Sequence, residues 1–87
     1  MNLQIYTIKD SKAGTYAQPF YNVNHTTAIR AFNASLQDNS NPLSKFPEDF
    51  SLYHLGLWDD VKGIITFNAN GAEFIANAVL TKEEINA

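Results

Sequence analysis

One run of residues constrains the fold more than any other part of the chain. Residues 51–58 (SLYHLGLW) alternate bulky side chains between two faces of a strand, with Tyr53, Leu55 and Leu57 on one and Leu52, His54 and Trp58 on the other. Residues 59–63 (DDVKG) have the composition of a tight turn, and residues 64–67 (IITF) return as a second apolar strand. The sequence therefore predicts a β-hairpin and, with it, a mainly antiparallel sheet.

The start of the chain predicts a third strand. Residues 3–8 (LQIYTI) are rich in β-branched and aromatic side chains, with Leu3 and Ile5 on one face and Tyr6 and Ile8 on the other. We expect both faces of this strand to be substantially covered. Residues 9–14 have turn chemistry, and residues 16–23 are extended at best, because Pro19 has no backbone N–H to donate to a neighbouring strand.

Two segments show the apolar spacing of helices. Residues 24–36 place Ala28, Ile29, Phe32 and Leu36 on one stripe, with Asn24 or Thr26 as the N-cap. Residues 72–79 show the same spacing and predict a second helix. The chain is thus expected to be a single α+β domain over residues 1–87, with a small, mainly antiparallel sheet of about three strands, two helices and a frayed tail from about residue 81.

Composition limits the class of protein. The chain has 87 residues, of which 45% are hydrophobic and none is cysteine. Disulfides, thiolate metal sites and cysteine nucleophiles are therefore absent, as is typical of a reducing compartment. The apolar runs are too short to span a bilayer, and the first residues do not have the pattern of a signal peptide. These features predict an intracellular protein that does not enter a membrane.

The residues that carry chemistry form no recognisable catalytic pattern. His25 and His54 are the two histidines, and neither has further metal ligands at helical or hairpin spacing. The acidic pairs at residues 48–49 and 59–60 have the positions of ordinary loop and turn residues. The glycines occur singly, which excludes a phosphate-binding loop, and no serine is placed with a base and an acid. We expect no enzymatic activity, no metal and no cofactor.

The charges are unevenly distributed along the chain. Residues 1–45 hold four basic and two acidic residues, whereas residues 46–87 hold two basic and seven acidic ones, for a net charge of −3. The basic half also contains many aromatic residues, a combination that suits single-stranded nucleic acid, because rings stack on bases and cations contact phosphates. The alternative is that these rings are core residues and the lysines ordinary surface. The predicted binding residues are Lys9, Lys12, Arg30, Lys45, Tyr16, Tyr21 and Trp58.

Three stretches resemble the small non-structural protein of gokushovirus-type microviruses. They are YTIKDSKA (residues 6–13) with QPF at residues 18–20, AIRAF (residues 28–32), and SKFPEDFSLYHLGLWDD (residues 44–60) with Gly63 shortly after. The resemblance covers most of residues 3–67. It implies a protein made in the cytoplasm of an infected bacterium, absent from the virion and commonly described as binding DNA.

Two functions follow as expectations. The first is a non-enzymatic accessory protein that binds single-stranded DNA during genome synthesis or packaging. The second is an interaction module that regulates a phage replication or capsid protein without touching DNA, through acidic residues of the C-terminal half. These residues are Asp59, Asp60, Glu73, Glu83 and Glu84.

The chain is also expected to form a homodimer or a larger homo-oligomer. Bulky side chains on both faces of residues 51–58 exceed what two short helices can cover, and a soluble monomer rarely exposes a large apolar patch. Pairing about a two-fold axis covers such a patch or a free sheet edge. The alternative is a monomer in which residues 43–50 fold over the second face.

Overall fold

The computed structural model describes residues 2–78, which form a six-stranded antiparallel sheet with one helix. In chain order the elements are β1 (Asn2–Asp10), β2 (Thr15–Tyr16), β3 (Phe20–Asn22), α1 (His25–Gln37), β4 (Phe50–Asp59), β5 (Ile64–Phe67) and β6 (Glu73–Asn77). Short 3₁₀ turns at Pro42–Lys45 and Pro47–Asp49 join α1 to β4. The prediction of about three strands and two helices is therefore wrong, since the structure is mostly β.

Two long strands, β1 and β4, form the centre of the sheet. They pair antiparallel along their whole length, with Asn2 opposite Asp59 and Asp10 opposite Phe50. The outer edge of β1 pairs with β2 and then β3, and the outer edge of β4 pairs with β5 and then β6. Each long strand thus forms a hairpin with an interrupted return strand, and Pro19 falls in the first of these interruptions.

The two hairpins use the same turn. Asp10 Oδ1 accepts hydrogen bonds from the backbone N–H groups two and three residues after it, and Asp59 Oδ1 does the same. Gly14 donates to the carbonyl of Asp10 and Gly63 to that of Asp59, both at 2.8 Å. Each glycine has a positive φ, 71° and 69° respectively, which glycine adopts without strain. The predicted turn at residues 59–63 is confirmed, and its counterpart closes the first hairpin.

The helix α1 packs on one face of the sheet. Asn24 caps it by accepting a hydrogen bond from the Thr27 N–H at 2.8 Å, as the sequence predicts. Its buried stripe of Ala28, Phe32 and Leu36 lies against two side chains of the central strands, Tyr6 and Leu52. The predicted helix is confirmed, and the core lies between α1 and this face.

A β-bulge in β4 changes which side chains share a face. Tyr6 pairs with His54 and Ile5 pairs with Gly56, so Leu55 is an extra residue in β4. The bulge reverses the alternation beyond His54. The alternation of residues 51–58 predicts Tyr53 and Trp58 on opposite faces, and the bulge makes this prediction wrong. Both side chains lie on the face opposite α1, because their β1 partners, Thr7 and Leu3, are an even number of residues apart.

The predicted second helix is also wrong. Residues 73–77 form β6, in which Glu73 pairs with His54 and Phe74 with Tyr53. The outer edge of β4 between Ser51 and His54 requires backbone partners, and β6 supplies them. In this strand Ile75 packs against the core, and Phe74 lies on the opposite face of the sheet. The predicted tail lies outside the described residues.

Of the helical segments within residues 2–78, none is long and apolar enough to cross a bilayer.

Candidate nucleic-acid interface

The face of the sheet opposite α1 carries a concentration of large side chains. We call it the open face. Strand register and the alternation of side chains assign its members, because paired residues point to the same side. Its large side chains are Leu3, Ile5, Tyr16, Tyr21, Tyr53, Trp58, Ile65, Phe67 and Phe74.

Three aromatic rings form a row across this face. The Tyr16 and Tyr53 rings lie with centroids 5.5 Å apart at 90°, and the Tyr53 and Phe74 rings lie 5.8 Å apart at 81°. Both contacts are edge-to-face, the arrangement that aromatic rings favour. The outer two rings are accessible, since Tyr16 is 47% and Phe74 55% exposed. The row presents aromatic surface to solvent across β2, β4 and β6.

A lysine lies on this row. Lys9, in β1 between Tyr16 and Tyr53, places its Nζ 5.5 Å from the Tyr16 ring centroid and 5.9 Å from that of Tyr53. Both distances fall within the range of cation–π contacts. In such an arrangement a cation can contact a phosphate while a neighbouring ring stacks on a base.

The open face carries no acidic strand residue. The acidic residues of the six strands are Asp10, Asp59 and Glu73, and strand register places all three on the α1 face. Among the strands within residues 2–78, Lys9 is the one charged residue on the open face. The net charge of −3 for the chain is therefore not the charge of this surface.

The second half of the open face, beside the row, is mainly apolar. Trp58 pairs with Ile65 of β5, and Tyr21 pairs with Ile5 of β1. Ile5 is 3% exposed and forms part of the floor, whereas Phe67 is 68% exposed. This half has aromatic and aliphatic side chains without a cation among its strand residues.

The structure separates the predicted binding residues into two groups. Four lie together on the open face: Lys9, Tyr16, Tyr21 and Trp58.

The remaining three lie elsewhere. Lys12 is in the exposed turn between β1 and β2, close in sequence to the aromatic row. Arg30 is an exposed residue of α1, and Lys45 ends the 3₁₀ turn that contacts α1. Arg30 and Lys45 therefore lie on the α1 side and do not converge with Lys9.

Sequence reasoning missed Tyr53, Phe74, Ile65 and Phe67. The sequence predicts a strand at Tyr53 but does not connect this residue with Tyr16, because nothing in it indicates that β1 lies between β2 and β4. The apolar spacing of residues 72–79 predicts a helix at Phe74. Residues 64–67 are predicted as a strand, but the sequence does not indicate which face of that strand is covered.

The two histidines meet on the other face, at the start of α1. The Tyr6 hydroxyl and His25 Nδ1 share a hydrogen bond of 2.7 Å. His54 donates from Nε2 to Gln4 Oε1 at 2.8 Å and accepts at Nδ1 from the Asn68 side-chain amide at 3.1 Å. This pattern holds His54 in its neutral form. Burial, followed by the nearby His25, lowers the pKa of His54, and burial raises the pKa of Tyr6.

Within residues 2–78, no group of three or more His, Cys, Asp or Glu residues is arranged to hold an ion.

The fold and this surface define a small antiparallel-sheet protein with one covered and one open face. The sequence matches the family model described as Phage ORF5 protein over residues 3–80, and the chain belongs to this family. It is 31% identical over 97 residues to Protein ORF5 of Chlamydia phage 1, an alignment that covers 98% of this chain and all of that protein. No solved structure gives a significant match. The chain is thus a phage protein of the microvirus type, which confirms that part of the predicted resemblance.

Proposed function

We propose that this phage protein binds single-stranded DNA on the open face, as a non-enzymatic accessory protein of genome synthesis or packaging in the cytoplasm of the infected bacterium. The observation that carries the proposal is the position of Lys9 against the Tyr16 and Tyr53 rings, in a row that continues to Phe74. Sheet surfaces with exposed aromatics and nearby cations are a recurrent platform for single strands.

The row accounts for both parts of such binding. A base that stacks on an exposed ring contributes about 1–3 kcal/mol. Lys9 supplies positive charge for phosphates, and no acidic strand residue opposes it on this face. The geometry favours a flexible single strand over a duplex, because bases must be unstacked to reach the rings.

The alternative function, an acidic protein-interaction module, has less support among the described residues. Asp59 uses Oδ1 to hold its own turn by accepting two backbone hydrogen bonds. Glu73 Oε1 lies 3.8 Å from His54 Nδ1. Glu83 and Glu84 lie outside the described residues. The described carboxylates of Asp59 and Glu73 both lie on the α1 face, each beside a group of this chain, and they support the alternative less than the aromatic row supports DNA binding.

Fluorescence anisotropy with a labelled oligothymidylate tests the proposal. Tyr16→Ala and Phe74→Ala remove exposed rings, and each should weaken binding about 5- to 150-fold, the equivalent of about 1–3 kcal/mol. Phe46→Ala is the matched control, because Phe46 is 60% exposed but lies on the segment between α1 and β4. It should leave binding unchanged.

A second pair of variants tests the cation. Lys9→Gln should weaken binding and reduce its salt dependence, whereas Lys45→Gln on the α1 side should change neither. Absence of binding at low salt, or equal losses for Phe46→Ala and Phe74→Ala, would refute the open face as the DNA site.

A further inference from the structure

The strand β5 has a free edge among the residues that the structure describes. Within residues 2–78 it pairs with β4 alone, and all four of its residues are exposed. Its sequence, IITF, has no charge and no proline, and its pairing with β4 contains no bulge. Charges, prolines and bulges are the features by which proteins normally protect an edge against pairing. This edge is therefore open to another strand.

The direction of the backbone groups shows which residues are available. The Asn68 N–H donates to the Leu55 carbonyl of β4 at 2.8 Å, and the Thr66 carbonyl points at Gly56 of β4. Backbone groups alternate in direction along a strand. Ile65 and Phe67 consequently direct their N–H and C=O groups away from β4, toward the free edge.

We propose that two copies of this chain pair through β5 in antiparallel fashion, with Thr66 of one copy opposite Thr66 of the other. Antiparallel pairing of two identical strands requires a two-fold axis perpendicular to the sheet, as in an isologous dimer. Such an axis keeps both open faces on the same side. Residues that face each other across it must then belong to the same face of the sheet.

This condition leaves two central registers. Centring on Thr66 places Ile65 of each copy opposite Phe67 of the other copy, which gives two equivalent pairs. Both residues have outward backbone groups, so the two pairs form four hydrogen bonds between the copies. Centring on Ile65 instead places Phe67 opposite Gly63, whose N–H already donates to Asp59. The Thr66-centred register therefore satisfies more backbone groups.

The same register pairs apolar side chains. Ile65 is 41% and Phe67 68% exposed in the single chain. In the dimer, Ile65 of each copy packs beside Phe67 of the other copy on the open face. The dimer thus has one continuous sheet and one continuous open face. Dimerisation does not rest on the proposed DNA binding and is measured without DNA.

Disulfide trapping tests the register. The chain has no cysteine, so Thr66→Cys introduces a single thiol. In the proposed register the two copies of residue 66 form a non-hydrogen-bonded pair with Cα atoms about 4.5 Å apart, within the range for a disulfide. Mild oxidation should give a covalent dimer of Thr66→Cys. Ala13→Cys, in the exposed β1–β2 turn, is the control and should remain monomeric on a non-reducing gel.

Light scattering of the unmodified protein gives an independent measurement. We expect twice the chain mass of 9.7 kDa at micromolar concentration. Ile65→Pro removes an outward N–H without disturbing the bonds to β4, and Phe67→Lys introduces like charges near the axis; each should halve the mass while circular dichroism stays unchanged. A monomeric wild-type chain, or cross-linking of Thr66→Cys no faster than that of Ala13→Cys, would overturn the proposal, as would another segment of the chain occupying this edge.

Discussion

The imidazole rings of His25 and His54 lie with their centroids 5.0 Å apart, where the first residue of α1 meets the centre of β4. Tyr6 contacts both rings edge-on, at 5.6 and 5.3 Å. Two imidazolium ions this close repel each other, and the bonds of His54 to Gln4 and Asn68 fit its neutral form. The attachment of the helix start to the sheet therefore depends on the charge of this pair.

Stability should decrease on mild acidification. Burial and His25 lower the pKa of His54 in the folded protein, whereas Glu73 acts in the opposite direction with a smaller effect. The unfolded chain, with its ordinary histidine pKa of about 6.5, then binds more protons than the folded one. The free energy of unfolding should be constant above about pH 7 and fall between about pH 6.5 and the lowered pKa, by at most about 1.4 kcal/mol per pH unit for this proton. Urea denaturation between pH 5 and 8 measures it.

The variant His54→Gln identifies the group responsible. It keeps a hydrogen-bonding side chain but does not titrate, so the decrease between pH 7 and 5.5 should be smaller than in the unmodified protein. An unchanged pH profile would contradict the assignment to His54.

Core packing predicts a large difference between two phenylalanines. Phe32 is 1% exposed at the centre of the α1 stripe, and Phe46 is 60% exposed. Phe32→Ala should reduce the free energy of unfolding by about 3–5 kcal/mol, because it removes buried apolar surface and leaves a cavity. Phe46→Ala should change it by less than about 1 kcal/mol. Equal effects in chemical denaturation would show that α1 does not pack as described.

Local patterns in the sequence predicted individual elements, although the predicted fold class was wrong. The stripe of α1, the alternation of residues 3–8 and the hairpin turn with Gly63 all depend on neighbours along the chain. The prediction of a helix over residues 72–79 was wrong because four apolar positions satisfy helical spacing. The decisive factor is the free edge of β4 between Ser51 and His54, which pairs with this segment as a strand. That edge exists only once the sheet has formed.

The candidate site was predicted in part for the same reason. Lys9 and Tyr16 are neighbours on one hairpin, and sequence reasoning selected both. Tyr53 and Phe74 join them only through pairing between distant strands. The bulge at Leu55, which brings Trp58 to the same face, has no signal in the alternation of residues 51–58.

Gly56 should be required for the pairing of β5. A Cβ at this position meets the Thr66 carbonyl at a distance that no side chain tolerates, so Gly56→Ala forces β4 and β5 apart. We expect a loss of about 1–3 kcal/mol, typical of overpacking. Hydrogen exchange should also become faster at the Asn68 N–H, which bonds to the Leu55 carbonyl. Gly14→Ala, which has open space but a positive φ, should destabilise without changing exchange at Asn68.

The matching turns of the two hairpins make a last prediction. Asp10→Ala and Asp59→Ala each remove a carboxylate that accepts two backbone hydrogen bonds, and each should cost about 0.5–2 kcal/mol, as at helix caps with the same chemistry. The asparagine variants keep the accepting oxygen and should retain most of this stability. Since β1 and β4 are antiparallel, the two turns lie at opposite ends of the central pair. The double alanine variant should therefore lose the sum of the single effects to within about 0.5 kcal/mol. A larger deviation in the double-mutant cycle would mean that the two hairpins do not close independently.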